Sequence, residues 1–203
     1  MAIPKVKTLI LDLGGVLFDI DYHRTQEAFR SIGFSDVERQ YSQLQQTSIF
    51  DDLETGKISP EQFCDQLRSA TKIDASNEAI YSAWNAMLLD LPEQNIEFVK
   101  ELKERYDLYL LSNTNEIHLK AIFDHFPNYS MLEPLFRKVY YSCRIGLRKP
   151  NADVFESVLK DIGTTPQNAL FIDDSPQHVE GAKSVGMHAL HLKVGQQRVQ
   201  DLF

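Results

Sequence analysis

Asp12, Ser112, Lys149 and the adjacent pair Asp173 and Asp174 are the residues whose types suit chemistry. Carboxylates act as nucleophiles or as hard oxygen ligands to a divalent cation, a lysine neutralises an anion, and a hydroxyl donates to one. Three of these positions follow a short apolar run. Asp12 ends Leu9-Ile10-Leu11 and precedes Leu13-Gly14-Gly15, Ser112 follows Leu110-Leu111 and leads into Asn113-Thr114-Asn115, and Asp173-Asp174 follows Leu170-Phe171-Ile172. Taken singly, each also has a plain structural reading. Asp12 before two glycines suits a turn, and the polar residues from Ser112 onward suit a helix cap. Lys149-Pro150 suits the start of a helix with the lysine in solvent, and Asp173-Asp174-Ser175-Pro176 suits a capped helix start. Their common place in the chain pattern is what sets them apart.

That pattern is one of strands that break into loops. Lys7-Thr8-Leu9-Ile10-Leu11 reads as a buried strand ending in a turn. From about 23 to 89 the apolar residues recur at helical spacing, as in Ala28, Phe29 and Ile32, then Phe63 and Leu67, then Ile80, Trp84 and Met87. Breaks fall at Ile32-Gly33-Phe34-Ser35, at Thr55-Gly56-Lys57 before Ser59-Pro60-Glu61, and at Asp74-Ala75-Ser76. This stretch predicts a small helical bundle without strands. Beyond Leu91-Pro92 strand and helix alternate, with strands over 107–111, 139–142, 168–172 and 188–192 and helices over 115–126, 151–162 and 176–185. The tail after Lys193 carries no pattern. The fold class expected is α/β: a doubly wound, Rossmann-like parallel sheet built from residues 1–17 and 92–203, with an all-helical subdomain, 18–91, inserted after the first strand. In open parallel sheets ligands bind beyond the carboxyl ends of the strands. Asp12, Ser112, the segment 143–149 and Asp173-Asp174 all fall just past strand ends, so distant segments converge on one edge.

Composition narrows the partner. A formal net charge of −8 argues against nucleic acid, because binding a phosphate backbone wants clustered Lys and Arg. A single phosphate can still be met locally by one or two cations and a row of backbone N–H groups. No apolar run approaches a membrane span, and the opening Met1-Ala2-Ile3-Pro4-Lys5-Val6-Lys7 lacks the apolar core of a signal peptide. A cytoplasmic protein, monomeric or a small homo-oligomer, with no membrane partner is expected. Cys64 and Cys143 lack Cys-x-x-Cys spacing and read as free thiols. The first strand is not followed by Gly-x-Gly-x-x-Gly, which sets a nicotinamide cofactor aside.

In order, Leu9-Ile10-Leu11-Asp12-Leu13-Gly14-Gly15-Val16-Leu17, Leu110-Leu111-Ser112-Asn113-Thr114, Arg148-Lys149-Pro150 and Leu170-Phe171-Ile172-Asp173-Asp174 resemble the motifs of the haloacid dehalogenase-like hydrolase superfamily. The resemblance spans nearly the whole chain, and the helical insert sits where that superfamily carries its helical type of cap. It implies a phosphatase that removes phosphate from a small phosphorylated metabolite through an aspartyl-phosphate, with Asp12 as nucleophile. It further implies Mg²⁺ held by Asp12, the Gly14 backbone carbonyl and Asp174. Lys149 would pair with the phosphate and the carboxylates, Asp173 would orient a metal-bound water or the lysine, and the Ser112 hydroxyl and Asn113 backbone N–H would hold phosphoryl oxygens. The chemistry is coherent, because an anionic nucleophile approaches a phosphate dianion only when cations neutralise the phosphoryl oxygens.

One position departs from the family pattern. Most phosphatases of this group carry a second Asp two residues after the nucleophile, which protonates the leaving oxygen; here that residue is Gly14. Such help is worth about 10²–10⁴ in rate. Asp19, Asp21 and His23, just downstream on the hinge into the insert, are candidates to replace it, though a solvated hinge accounts better for each of them. A similar first motif occurs in bacterial phosphatases of sugar 1-phosphates, which makes a sugar phosphate one substrate class to consider. His178 stands where many relatives carry Asn and reads as a first-turn residue. Trp84, Phe50 and Tyr22 suit either a substrate pocket or the core of the insert. Two other functions compete: 2-haloacid dehalogenation without metal, which the adjacent Asp173 and Asp174 disfavour through repulsion, and a weak or non-catalytic phosphate-ligand-binding or scaffolding protein.

Overall fold

The computed structural model describes residues 4–34, 37 and 48–203. Met1 to Ile3 and Ser35, read above as part of the N-terminus and of a helix break, lie outside them. In chain order the described elements are strands β1 (Thr8–Leu11) and β2 (Asp19–Ile20) and helices α1 (Tyr22–Ser31), α2 (Ser48–Glu54), α3 (Pro60–Thr71) and α4 (Asn77–Asn85), then β3 (Leu88–Asp90), α5 (Glu93–Lys103), β4 (Asp107–Ser112), α6 (Glu116–His125) and α7 (Tyr129–Leu132). The chain continues through β5 (Lys138–Tyr141), α8 (Ser142–Ile145), α9 (Ala152–Ile162), β6 (Ala169–Asp173), α10 (Pro176–Ser184) and β7 (His188–His191).

The main sheet has the order β5-β4-β1-β6-β7, with every neighbouring pair parallel. Both faces are covered, which explains the unbroken apolar runs: successive side chains of a strand alternate faces, so a strand buried on both needs an apolar residue at every step. Leu9, Leu11, Leu108, Leu110, Leu170 and Ile172 face one cluster, completed by Ile96 and Val99 of α5 and Leu119 and Ile122 of α6. Ile10, Leu111, Ala169 and Phe171 face the other, against Val154, Phe155, Val158 and Leu159 of α9. β1 is the central strand, so Asp12 leaves the sheet at its middle, with β4 and β6 delivering Ser112 and Asp173 on either side.

The insert forms its own apolar cluster around Trp84, Phe29, Phe50 and Phe63, all fully buried. Its helices begin where the sequence places their signals. Ser59 and Gln62 form a reciprocal capping box with Pro60 in the first turn, and Ser76 caps α4. The expectation of an insert without strands is corrected. β2 and β3 pair antiparallel, Asp19 opposite Asp90 and Ile20 opposite Leu88, where the chain leaves the sheet and where it returns. Each strand is too short to show a period of its own, and the pairing joins segments far apart in sequence. β5 begins and ends one residue before the expected 139–142, because Ser142 already opens α8. The patternless tail folds back, with Phe203 edge-on to Phe98 and Tyr106.

His118 of α6 joins the two halves. Its ring stacks on Trp84 with centroids 4.9 Å apart, and its Nδ1 is hydrogen-bonded to Asn85 Oδ1 at 2.8 Å. Burial disfavours the imidazolium and pushes its pKa down to about 3. The unfolded chain takes up this proton near pH 6.5 and the folded chain does not, so stability is lost as pH falls from about 6.5 towards 3. Urea denaturation at pH 7 and pH 5 should give a loss at pH 5, with His118 contributing on the order of 2 kcal/mol. His118→Asn should reduce that dependence; an unchanged slope in the variant would place the pH response elsewhere.

Candidate active site

The loop after β1 is a tight turn. Leu17 and Phe18 both donate from their backbone N–H to Leu13 O at 2.8 Å, and Gly15 N–H donates to Phe18 O at 2.8 Å. Gly15 has φ +74, and a Cβ there would lie 2.4 Å from Asp174 Oδ2. The missing side chain is therefore what lets the Asp174 carboxylate rest against the loop that carries Asp12. Gly14 differs: it lies outside the left-handed region, and the atoms nearest to a Cβ there belong to the flexible Ile20 side chain, with Cδ1 at 3.1 Å.

Lys149, fully buried, donates from Nζ to Asp12 Oδ1 at 2.7 Å and to Asp173 Oδ2 at 2.6 Å. Its backbone is fixed by Asn113, whose Nδ2 donates to Lys149 O at 2.9 Å and whose Oδ1 accepts from Lys149 N at 3.0 Å. A similar pair of bonds ties the neighbouring loops, Thr114 N to Ser142 Oγ at 2.9 Å and Ser142 Oγ to Thr114 O at 3.0 Å. Ser112 is buried at the end of β4. Side-chain amides and hydroxyls thus do between loops what the ladder does between strands.

The charges do not balance. Burial, then Asp173, pushes the Asp12 carboxyl well above its usual range, and Lys149 only partly offsets this. Burial and Asp173 push Asp174 up to about 7. Asp173 resists the burial that acts on it too, because Lys149 and His178 hold it below the ordinary carboxylate range. Burial opposes the charge of Lys149, yet Asp12 and Asp173 together keep its pKa above normal. Three carboxylates share one ammonium, an arrangement that attracts a further cation.

His178 is not a bare first-turn residue. Its Nδ1 lies 2.9 Å from Asp173 Oδ1, and ligand atoms of Asp12, Asp173 and His178 fall within 4.8 Å of one another. That set differs from the expected Asp12, Gly14 and Asp174. The Lys149 ammonium already bonds Asp12 and Asp173, while the Asp174 carboxylate rests against Gly15 of the loop that carries Asp12.

A cleft, part of it open to solvent, collects Asp12, Gly14, Ser112, Asn113 and Asp174. Tyr22 also lines it. Trp84 and Phe50 instead fill the core of the insert, with ring centroids 5.1 Å apart. None of the replacements considered for the missing acid reaches the cleft: Asp19 pairs opposite Asp90 in the ribbon and lines a different hollow, Asp21 caps α1 by accepting from His23 N at 2.9 Å, and His23 is exposed. Sequence reasoning missed Glu54, Arg148 and His118, which line the same cleft. Arg148 stood beside a motif lysine, and that adjacency was the available signal; Glu54 and His118 lie on helices with nothing local to mark them.

Residues 6–186 match the family model of the haloacid dehalogenase-like hydrolases. The chain belongs to that family. Among its relatives, a D-ribitol-5-phosphate phosphatase of Bacteroides thetaiotaomicron is 29% identical over 97% of both chains. A sesquiterpene phosphatase of Aspergillus oryzae is 27% identical over 92% of this chain and 89% of its own. A crystal structure of a mutant HAD family enzyme from B. thetaiotaomicron, in complex with magnesium and inorganic phosphate, superposes with a TM-score of 0.89 at 34% identity, covering 98% of this chain and 99% of that one.

For this dehalogenase-like hydrolase the two glycines of the first loop should respond in opposite ways to a single methyl group. Gly15→Ala meets both a positive φ and the Asp174 carboxylate, and should lower stability by more than about 1 kcal/mol and disturb the cleft. Gly14→Ala needs only a small shift of Ile20 and should melt close to the wild type. Thermal denaturation of the two variants reads the difference; equal melting temperatures would contradict the packing of Asp174 on Gly15.

Proposed function

We propose that the chain, a phosphatase of the haloacid dehalogenase-like family, releases phosphate from a small phosphorylated metabolite through an aspartyl-phosphate on Asp12. The observation that carries this reading is the buried Lys149 ammonium bonded to Asp12 and Asp173 at the carboxyl end of the central strand, with Asp174 against the same loop. A carboxylate held beside a fixed cation is poised to attack a phosphoryl group whose oxygens need the same neutralisation. In this reading Asp12 attacks phosphorus, the alcohol departs, and water then cleaves the acyl phosphate. Lys149 and Ser112 hold phosphoryl oxygens, the Asn113 backbone N–H adds a donor, and Asp173, oriented by His178, keeps Lys149 in place.

The donor set fits Mg²⁺: hard oxygens from Asp12 and from Asp174, which the bare Gly15 lets rest against the loop that carries Asp12, the Gly14 carbonyl within that loop, and too little positive charge nearby. Bound there, Mg²⁺ would neutralise the phosphoryl oxygens during attack. Residues 18–91 act as the cap over this site, on a core of 1–17 and 92–203. Dehalogenation is disfavoured, since without a cation the acids around Asp12 would repel a carboxylate substrate.

Phosphate release should require Mg²⁺ or Mn²⁺, stop on adding EDTA, and not be restored by Zn²⁺ alone. Asp12→Asn, nearly isosteric, should stay folded and lose on the order of 10³ or more in kcat, and beryllium fluoride should trap on Asp12 in the wild type. Full activity in metal-free buffer, or a folded Asp12→Asn protein with normal turnover, would sink this mechanism.

Gly14 leaves no side chain to protonate the leaving oxygen. Esters with acidic leaving groups, such as p-nitrophenyl phosphate or acyl phosphates, should therefore be cleaved faster than simple alkyl phosphates. Gly14→Asp is feasible because this residue avoids positive φ, and it should flatten the dependence by speeding the poor leaving groups most. Equal wild-type rates across leaving groups would mean that another residue supplies the proton or that chemistry does not limit turnover. Phosphate binding with no hydrolysis of any ester would favour a binding protein.

A further inference from the structure

Glu54 is a carboxylate in an unexpected place. It ends α2, is 5% exposed, and faces the cleft that holds Asp12, where the rest of the insert's wall includes the apolar Met87 and Leu88. Arg148 holds it from the core side, with Nη2 2.9 Å from Glu54 Oε2 and Nη1 paired to Asp51 of the same helix. The Arg148 Nε–H is buried with no hydrogen-bond partner among the described residues. Burying an ion pair in a cleft wall is seldom worth more than burying apolar groups of the same size, so its retention calls for another use. An unsatisfied buried donor beside it is what a wall looks like before its ligand arrives.

We infer that Glu54 and Arg148 together recognise hydroxyl groups on the alcohol part of the substrate; this rests on the phosphatase reading above. The positions are suitable. Arg148 adjoins Lys149, whose backbone the Asn113 amide grips on both sides, so the reader of the alcohol is fixed relative to the site of the phosphate. Glu54 belongs to the same cavity as the nucleophile, which Tyr22 and Asp174 also line. Charge then selects the chemistry. Arg148 already counters Glu54, so what the carboxylate has left is capacity to accept hydrogen bonds, which suits neutral O–H groups. A second anionic group on the substrate would meet the cleft carboxylates Asp12, Glu54 and Asp174, and an aliphatic alcohol would offer the polar pair no hydrogen bond. The substrate class is a polyhydroxylated small-molecule monophosphate.

The test compares a pentitol 5-phosphate with pentyl phosphate, the same chain without hydroxyls, and uses p-nitrophenyl phosphate as a control, all with Mg²⁺. The wild type should favour the pentitol ester in kcat/KM by about 10² or more, because a site built to bond hydroxyls rejects an analogue that lacks them. Glu54→Ala and Arg148→Lys should each cut that ratio at least tenfold, mainly through KM, while Glu54→Gln, which keeps the shape and one acceptor, should cut it less. Circular dichroism checks folding, and Glu54→Gln carries the test if Glu54→Ala is misfolded. Equal wild-type rates on the two pentyl chains, or variants that slow both esters alike, would overturn the inference and leave a simple clasp between insert and core. Cleavage of p-nitrophenyl phosphate but of neither pentyl ester would also overturn it with the phosphatase reading intact, whereas no hydrolysis of any ester would remove both.

Discussion

Everything at the carboxyl edge of the sheet is arranged around one buried ammonium. Lys149 is fully enclosed and bonds the carboxylates that end β1 and β6. Removing one member of such a pair leaves an uncompensated buried charge, a loss of about 3–5 kcal/mol, so the lysine sets where both loops can lie. The polar links around it serve that placement. Asn113 holds the lysine's own peptide groups, and Ser142 ties the loop after β5 to the loop after β4. A long, flexible side chain is turned into a fixed charge by fixing its backbone, and rigid first contacts are what a site for a small anion requires.

That one cation does not balance its acids, and the imbalance is informative. Asp173 is held below the usual range while Asp12 and Asp174 are pushed above it, by burial and by the charge of Asp173. A core built for stability alone would not gather carboxylates around the end of its central strand. The site is held in a state that a cation and an anion arriving together would relieve, which is the physical content of reading Asp12 and Asp174 as a pair.

Much of this was legible in the sequence because the relevant signals are local. Apolar runs ending in Asp12, Ser112 and Asp173 mark strands buried on both faces, and β1, β4 and β6 lie within a residue of where the sequence puts them. Capping residues such as Ser59 and Ser76 likewise act within one turn. What escaped is nonlocal. The Asn113 amide looks like a helix cap until its partner thirty-six residues on is known, and Glu54 looks like a surface acid of an ordinary helix until Arg148 is seen against it. Gly14 and Gly15 are alike in sequence, yet only Gly15 has a positive φ and lies against Asp174, which follows the neighbouring strand β6. Asp19 and Asp21 were drawn towards chemistry by nearness in sequence, and the fold turns both away.

The ribbon of β2 and β3 has a consequence for how such a chain can change over generations. Because the outgoing and returning segments pair with each other, they stand one strand spacing apart, about 4.8 Å, whatever lies beyond them. To the parallel sheet the whole helical insert is equivalent to a long hairpin loop, and lengthening or rebuilding it costs little more than the slow logarithm of loop closure. The carboxyl edge of the sheet and the insert are thereby heritable almost independently: the insert can be recast, residue by residue or wholesale, as a cassette plugged into an unaltered socket.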